Sequence, residues 1–171
     1  SELSDGKNYE NLRYEGFGPY NSVFIIEALT ENKNRSASNI RTIFQKNGGR
    51  LGETGSATHL FFNCGIIQID KKRSSEEEIF EIATDIGAKD CQNLKDYYEI
   101  ISEKEDFYKV KSELEKKFDS FDYSNIEWRP VNFLILNKEQ NIKILDIFES
   151  LEELDDVQNI YTNVNLKSIE L

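Results

Sequence analysis

Few residues in this chain combine types and spacing that could do chemistry. His59 is the only histidine, and Cys64 and Cys91 are the only cysteines. Neither a histidine metal cluster nor a paired-cysteine zinc site therefore has the ligands it needs. A serine nucleophile would have to recruit His59, which falls in an expected strand with no G-x-S-x-G turn near it. Asp and Glu are spread through the chain, and no pair stands out for acid–base work. The sequence predicts no enzyme, no cofactor, no metal and no small-molecule substrate.

Two segments remain. Gly48-Gly49-Arg50-Leu51-Gly52-Glu53-Thr54-Gly55-Ser56 has the glycine content of a phosphate loop but follows a helix and precedes a strand. Phosphate loops run from strand to helix, so that a helix N-terminus faces the anion, and the Gly-Lys-Ser/Thr element is missing. The segment reads as a structural turn whose backbone amides could still meet a phosphate beside Arg50. The second is the basic run Lys33, Arg35, Arg41, Lys46 and Arg50, five bases with no acid between Asn32 and Arg50. Such a patch attracts polyanions, because neutralising phosphates releases counterions; Asn34 could add a phosphate hydrogen bond. A solvated helix face is the other reading of the same run.

The rest of the chain sets that run in relief. Net charge is -11, and residues 74–122 hold 15 acids against 7 bases, so attraction to nucleic acid would have to be local. No apolar stretch approaches the roughly 18 residues of a membrane span, and the polar opening lacks a signal-peptide layout. Two isolated cysteines fit reduced, partly buried thiols. The absence of methionine gives the expectation that the chain starts downstream of its gene's start.

The elements that must position these residues follow from periodicity. Ser22 to Leu29 is a β-branched, aromatic run between Gly18-Pro19 and Asn32, which predicts a buried strand. Ser36 or Ser38 is expected to cap a helix with Ile40, Ile43 and Phe44 inward, ending at Gly48-Gly49. A hairpin is expected around Asn63-Cys64-Gly65, joining Thr58–Phe62 to Gly65–Ile69. Ser74 and Ser75 with Glu77 and Glu78 form overlapping capping boxes for a helix that turns Ile79, Ala83 and Ile86 inward before Gly87. Tyr97 to Ile101 reads as a strand, and Ser102 with Glu105 as the cap of a helix carrying Phe107, Val110 and Leu114. Ile126 to Leu136 is extended, with Pro130 demanding an edge or bulge. Asn137 caps a last helix through Ile142, Leu145, Phe148 and Leu151, and Val157 to Tyr161 closes the chain as a strand. The cluster from Tyr14 to Tyr20 reads as a loop whose aromatics plug a core. The class is α+β: two small α/β sandwiches, ferredoxin-like, with antiparallel sheets, and chain crossings near Asp70–Ser75 and Asp119–Asn125.

Several segments together resemble the YebC family. They are Asn8-Tyr9-Glu10, Arg13 to Pro19, Glu27 to Arg35 with Ala37-Ser38, Gly48-Gly49, Leu51-Gly52-Glu53, Gly55-Ser56, Asp106-Phe107, and Asp155 to Asn163. The resemblance implies a middle α+β domain with another inserted in it, and a basic helical N-terminal domain that this chain lacks. Residues 1–13 would then be linker, 14–73 with 126–171 the middle domain, and 74–125 the insertion. It also implies a non-enzymatic regulator of gene expression, either a DNA-binding transcriptional regulator or a ribosome- or mRNA-associated translational activator. The setting would be the bacterial cytoplasm, or alternatively the mitochondrial matrix. The family's basic, polar run maps onto Lys33, Asn34, Arg35, Arg41, Lys46 and Arg50. The chain departs from the family's usual Gly-Pro-Gly-Gly at Gly18-Pro19-Tyr20-Asn21, and from a frequent histidine at Asn47.

Overall fold

The computed structural model describes residues 8–166. They form two compact units: one takes the residues up to Phe62 and from Arg129 onward, and the other, Asn63–Trp128, is inserted between these segments. The fold is α+β, with two four-stranded sheets and helices against them.

In the first unit, β1 (Glu10–Phe17) pairs antiparallel with β2 (Val23–Thr30), with Tyr14 opposite Ile26 and Gly16 opposite Phe24. Helix α1 (Lys33–Lys46) follows, then the short β3 (Arg50–Leu51), which adds to β1. After the insertion, α4 (Lys138–Glu152) leads into β8 (Val157–Thr162), which pairs antiparallel with β2. The sheet order is β3-β1-β2-β8, so β2 is an inner strand, as its apolar sequence requires. Phe24 and Ile26 of β2 pack with Ile40 and Phe44 of α1 and with Ile144, Ile147 and Leu151 of α4. Phe24 and Phe44 meet edge to face at 5.4 Å, the geometry that the ring quadrupole favours. Gly16 belongs to this contact, because a Cβ there would stand 2.3 Å from the Phe44 ring.

The inserted unit runs β4 (Phe61–Asp70), α2 (Glu76–Asp85), β5 (Asp90–Asn93), β6 (Tyr97–Glu103), α3 (Phe107–Glu115) and β7 (Tyr123–Pro130). Its order is β5-β6-β4-β7, the β-α-β-β-α-β arrangement of ferredoxin-like folds. Ile67, Ile69, Ile79, Ile100, Val110 and Leu114 form its core. Ser75 caps α2 by accepting from the Glu78 amide, and Asn137 and Gln140 form a reciprocal capping box on α4. Pro130 ends β7 on the sheet edge.

Several local expectations are corrected. No hairpin forms at Asn63-Cys64-Gly65: β4 runs straight through, pairing Cys64 with Glu103 and Gly65 with Ser102. Gly65 serves close approach rather than a turn, since its Cβ would lie 2.3 Å from the Phe107 ring. Because β4 is continuous, the units divide at Phe62 and Trp128 rather than at 73/74 and 125/126. Residues 10–13 are part of β1, not linker, and the aromatic cluster from Tyr14 continues that strand before turning at Tyr20, whose φ is 62°. Ser102 is a buried β6 residue that caps nothing; a 3-10 turn, Lys104–Asp106, leads into α3 instead. On α4 the inward face is Ile144, Ile147 and Leu151, while Ile142 is exposed.

The loop after β3 is held by one carboxylate. Glu15 is 1% exposed, and its oxygens accept from the amides of Gly55 at 2.6 Å, Ala57 at 2.7 Å and Thr58 at 2.9 Å. Arg13 lies 3.8 Å away. Burial alone would raise the pKa of Glu15, but the three amides and Arg13 outweigh it and hold the group below its ordinary value of 4.5. A depressed carboxyl contributes stability that is fully present above 4.5 and is lost as pH falls through the lower folded value. Replacing Glu15 by Gln is expected to cost roughly 2 kcal/mol at pH 7, with the gap to the parent narrowing by pH 3, as read from urea midpoints. A gap independent of pH would contradict this assignment.

Candidate nucleic-acid interface

Helix α1 starts earlier than the serines suggested. Asn32 is its N-cap, its side chain accepting from the Arg35 amide at 3.0 Å, so Lys33, Asn34 and Arg35 form the first turn. Gly48, with φ 76°, ends the helix, and Gly49 donates back to the Phe44 carbonyl at 2.8 Å. The acid-free run is thus one 14-residue helix and the strand beyond it.

Cations in a first turn oppose the helix dipole, and the fold answers this with acids. Arg35 Nη2 lies 3.1 Å from Glu31 and 3.2 Å from both oxygens of Asp156. Asp156 is itself fixed: Thr30 Oγ1 donates to it at 3.0 Å, and its carbonyl accepts from the Leu29 amide at 2.8 Å. Hydrogen bonds to Asp156 and then Glu31 hold the Arg35 guanidinium above its ordinary pKa. Arg35 therefore joins the end of β2, the start of α1 and the approach to β8. It is a clamp within the unit, and its charge is already partnered.

The remaining bases are arranged differently. At 100° per residue, Ser36, Ile40 and Phe44 mark the buried side of α1, while Asn34 and Arg41 occupy one flank and Lys46 the other. Ser38, Thr42 and Gln45 lie exposed between the flanks, and no acid appears on the helix. Arg41 and Lys46 are exposed and make no ion pair among the described residues. Lys46 is in the last turn, where the dipole favours a cation. Arg50 follows on β3, its guanidinium 4.4 Å above the Phe17 ring. Lys33 is exposed at the other end, where its carbonyl accepts from the Tyr14 hydroxyl at 3.3 Å.

Along the helix, Arg41 and Lys46 thus lie in the C-terminal half of α1, on opposite flanks, with Arg50 on β3 beyond it, while Lys33, Asn34 and the clamped Arg35 form the first turn. The Glu31–Arg35 half of the clamp was legible as an i,i+4 pair. The Asp156 half joins residues 121 apart in sequence, and the acidic loop holding Asp156 showed no local sign of its partner. Phe17 was visible only as one aromatic among several.

The relatives of this chain agree with the architecture. A model of the TACO1/YebC second and third domain matches residues 9–164. The chain belongs to the TACO1/YebC family. A probable transcriptional regulatory protein of Pelagibacter ubique is 48% identical over 98% of this chain and 70% of its own length. A protein of Zymomonas mobilis with the same description is 40% identical over 95% of this chain and 65% of its own. The crystal structure of a conserved hypothetical protein from Aquifex aeolicus matches with a TM-score of 0.83 and 34% identity, over 96% of this chain and 68% of that one. The chain therefore spans about two thirds of the length of these TACO1/YebC relatives.

The clamp and the free bases should separate by experiment. Arg35→Ala and Asp156→Asn are each expected to lower the denaturation midpoint, and together to lower it by less than the sum, whereas Arg41→Ala leaves it in place. Urea unfolding of the four variants checks this; strict additivity at Arg35 and Asp156 would mean that the two do not act as a pair.

Proposed function

We propose that the chain is the part of a non-enzymatic regulator of gene expression that contacts DNA through the exposed face of α1 and Arg50. The observation that carries this reading is the acid-free surface on which Arg41 and Lys46 are unpaired and Arg50 is held against Phe17. On a chain of net charge -11, an exposed helix without a carboxylate is where a phosphate backbone meets least repulsion. The neutral donors Ser38, Thr42 and Gln45 between the bases suit phosphate oxygens. The naming of the Pelagibacter and Zymomonas relatives as probable transcriptional regulatory proteins supports a regulatory role in a bacterial cytoplasm. Lys33 and Asn34 are peripheral in this proposal, and Arg35 acts through the fold.

A second reading has its own support. A guanidinium stacked on an aromatic ring, as Arg50 is on Phe17, is a platform on which a splayed base of single-stranded RNA stacks. It favours a messenger- or ribosome-associated translation factor. Among the described residues no helix is long and apolar enough to cross a membrane, and neither reading needs one.

Anisotropy titrations with duplex DNA and single-stranded RNA, across about 50 to 200 mM salt, distinguish the readings. The triple change Arg41→Ala, Lys46→Ala and Arg50→Ala is expected to weaken binding at least about tenfold and to flatten the log–log salt slope by about 2.7, about 0.9 for each lost phosphate contact on duplex. Preference for duplex supports the DNA reading, and preference for single-stranded RNA supports the second. Undiminished binding by the triple variant would remove this face from the interface.

A further inference from the structure

A pocket of about 620 Å³ opens beside the N-terminal end of α1, within the first unit. Four carboxylates line it, Glu31, Glu153, Asp155 and Asp156, against a single guanidinium, that of Arg35. Glu31 and Asp156 are engaged with Arg35. Glu153 and Asp155 are exposed and make no ion pair or side-chain hydrogen bond among the described residues. The wall also includes Ser36, which is 3% exposed and whose Oγ has no hydrogen-bond partner among the described residues. A buried hydroxyl without a partner has given up its water without replacement, so this atom points to a polar ligand.

The charge balance selects the ligand's sign. The lining holds four carboxylates against one guanidinium, so a phosphate or carboxylate would meet net repulsion whereas a cation is attracted, most by Glu153 and Asp155, and a concave site focuses that field. The spacing selects the ligand's shape: among the described residues no three acids gather closely enough to hold a metal ion. The negative charge is spread along the wall rather than centred, which suits an extended cation. Leu29 and Leu154 lie among the acids and supply apolar contact for methylene groups. The volume exceeds that of one lysine side chain and is of small-molecule size.

We infer that this pocket binds alkylammonium groups spaced along a flexible aliphatic chain, as carried by a linear polyamine or by consecutive lysines of a polypeptide. Glu153 and Asp155 take the ammonium groups, Ser36 Oγ accepts one hydrogen bond, and Arg35, held by Glu31 and Asp156, forms the fixed wall. The site is opposite in charge to the C-terminal end of α1, and the inference does not rest on the nucleic-acid reading.

Calorimetric titration of the whole chain with spermidine, and separately with acetyl-Lys-Lys-amide, tests it at low salt. Saturable binding is expected to weaken at least about tenfold in Glu153→Gln/Asp155→Asn, and to persist in Glu77→Gln/Glu81→Gln, which removes the same charge from the exposed face of α2. Ser36→Ala is expected to weaken binding about threefold without lowering the denaturation midpoint, because the hydroxyl has no protein partner to lose. Tighter binding of spermidine identifies a free polyamine as the source, and tighter binding of the dipeptide identifies a protein. No saturation by either probe, or equal losses in the two acid-to-amide pairs, would overturn the site.

Discussion

Arg35, held between Glu31 and Asp156, is the interaction on which the reading of this molecule turns. It ties the end of β2, the first turn of α1 and the approach to β8 at one point. It also decides which charges of the basic run are available. Without the acids, Lys33 and Arg35 would crowd the positive end of the α1 dipole; with them, the N-terminal end of the helix becomes an acidic environment. Positive charge is left where the dipole favours it, at Lys46 and beyond at Arg50.

The result is a helix with two electrical characters. One end opens on four carboxylates, and the other carries unpaired bases over a polar, acid-free surface. Net charge alone argued against nucleic acid, and it is the separation of charge along α1, not its sum, that leaves a place for a polyanion. The core keeps that separation in register. Ile40 and Phe44 are anchored against Phe24, and the rotation of α1 is set by that packing, so the flanks holding Arg41 and Lys46 cannot turn inward. Glu15 plays a comparable part for the loop beyond Arg50, accepting from three amides of the turn, that of buried Ala57 among them.

Much of the fold was legible because its signals are local. The apolar run of β2, the Ser75 cap, the Asn137–Gln140 capping box and the edge proline each act within a few residues. The misreadings arose where a distant partner decides the outcome. Gly65 looked like a turn, yet it is a strand residue that makes room for Phe107. Residues 10–13 are linker in the division that the resemblance implies, yet pairing with β2 makes them a strand. At the candidate site the acid-free run was visible, but its division was not. Ser36 and Ser38 are the caps that the sequence suggests, whereas Asn32 starts the helix at least one turn earlier and draws Lys33 to Arg35 into the acidic end.

The most direct test of this account is an amide chemical-shift map of the isotope-labelled chain titrated with a short DNA duplex. The account predicts that the largest saturable shifts fall on residues 41–50 and on Phe17, with residues 31–36 and 153–156 little changed. Shifts centred on residues 31–36 and 153–156, or on the inserted unit, would contradict it.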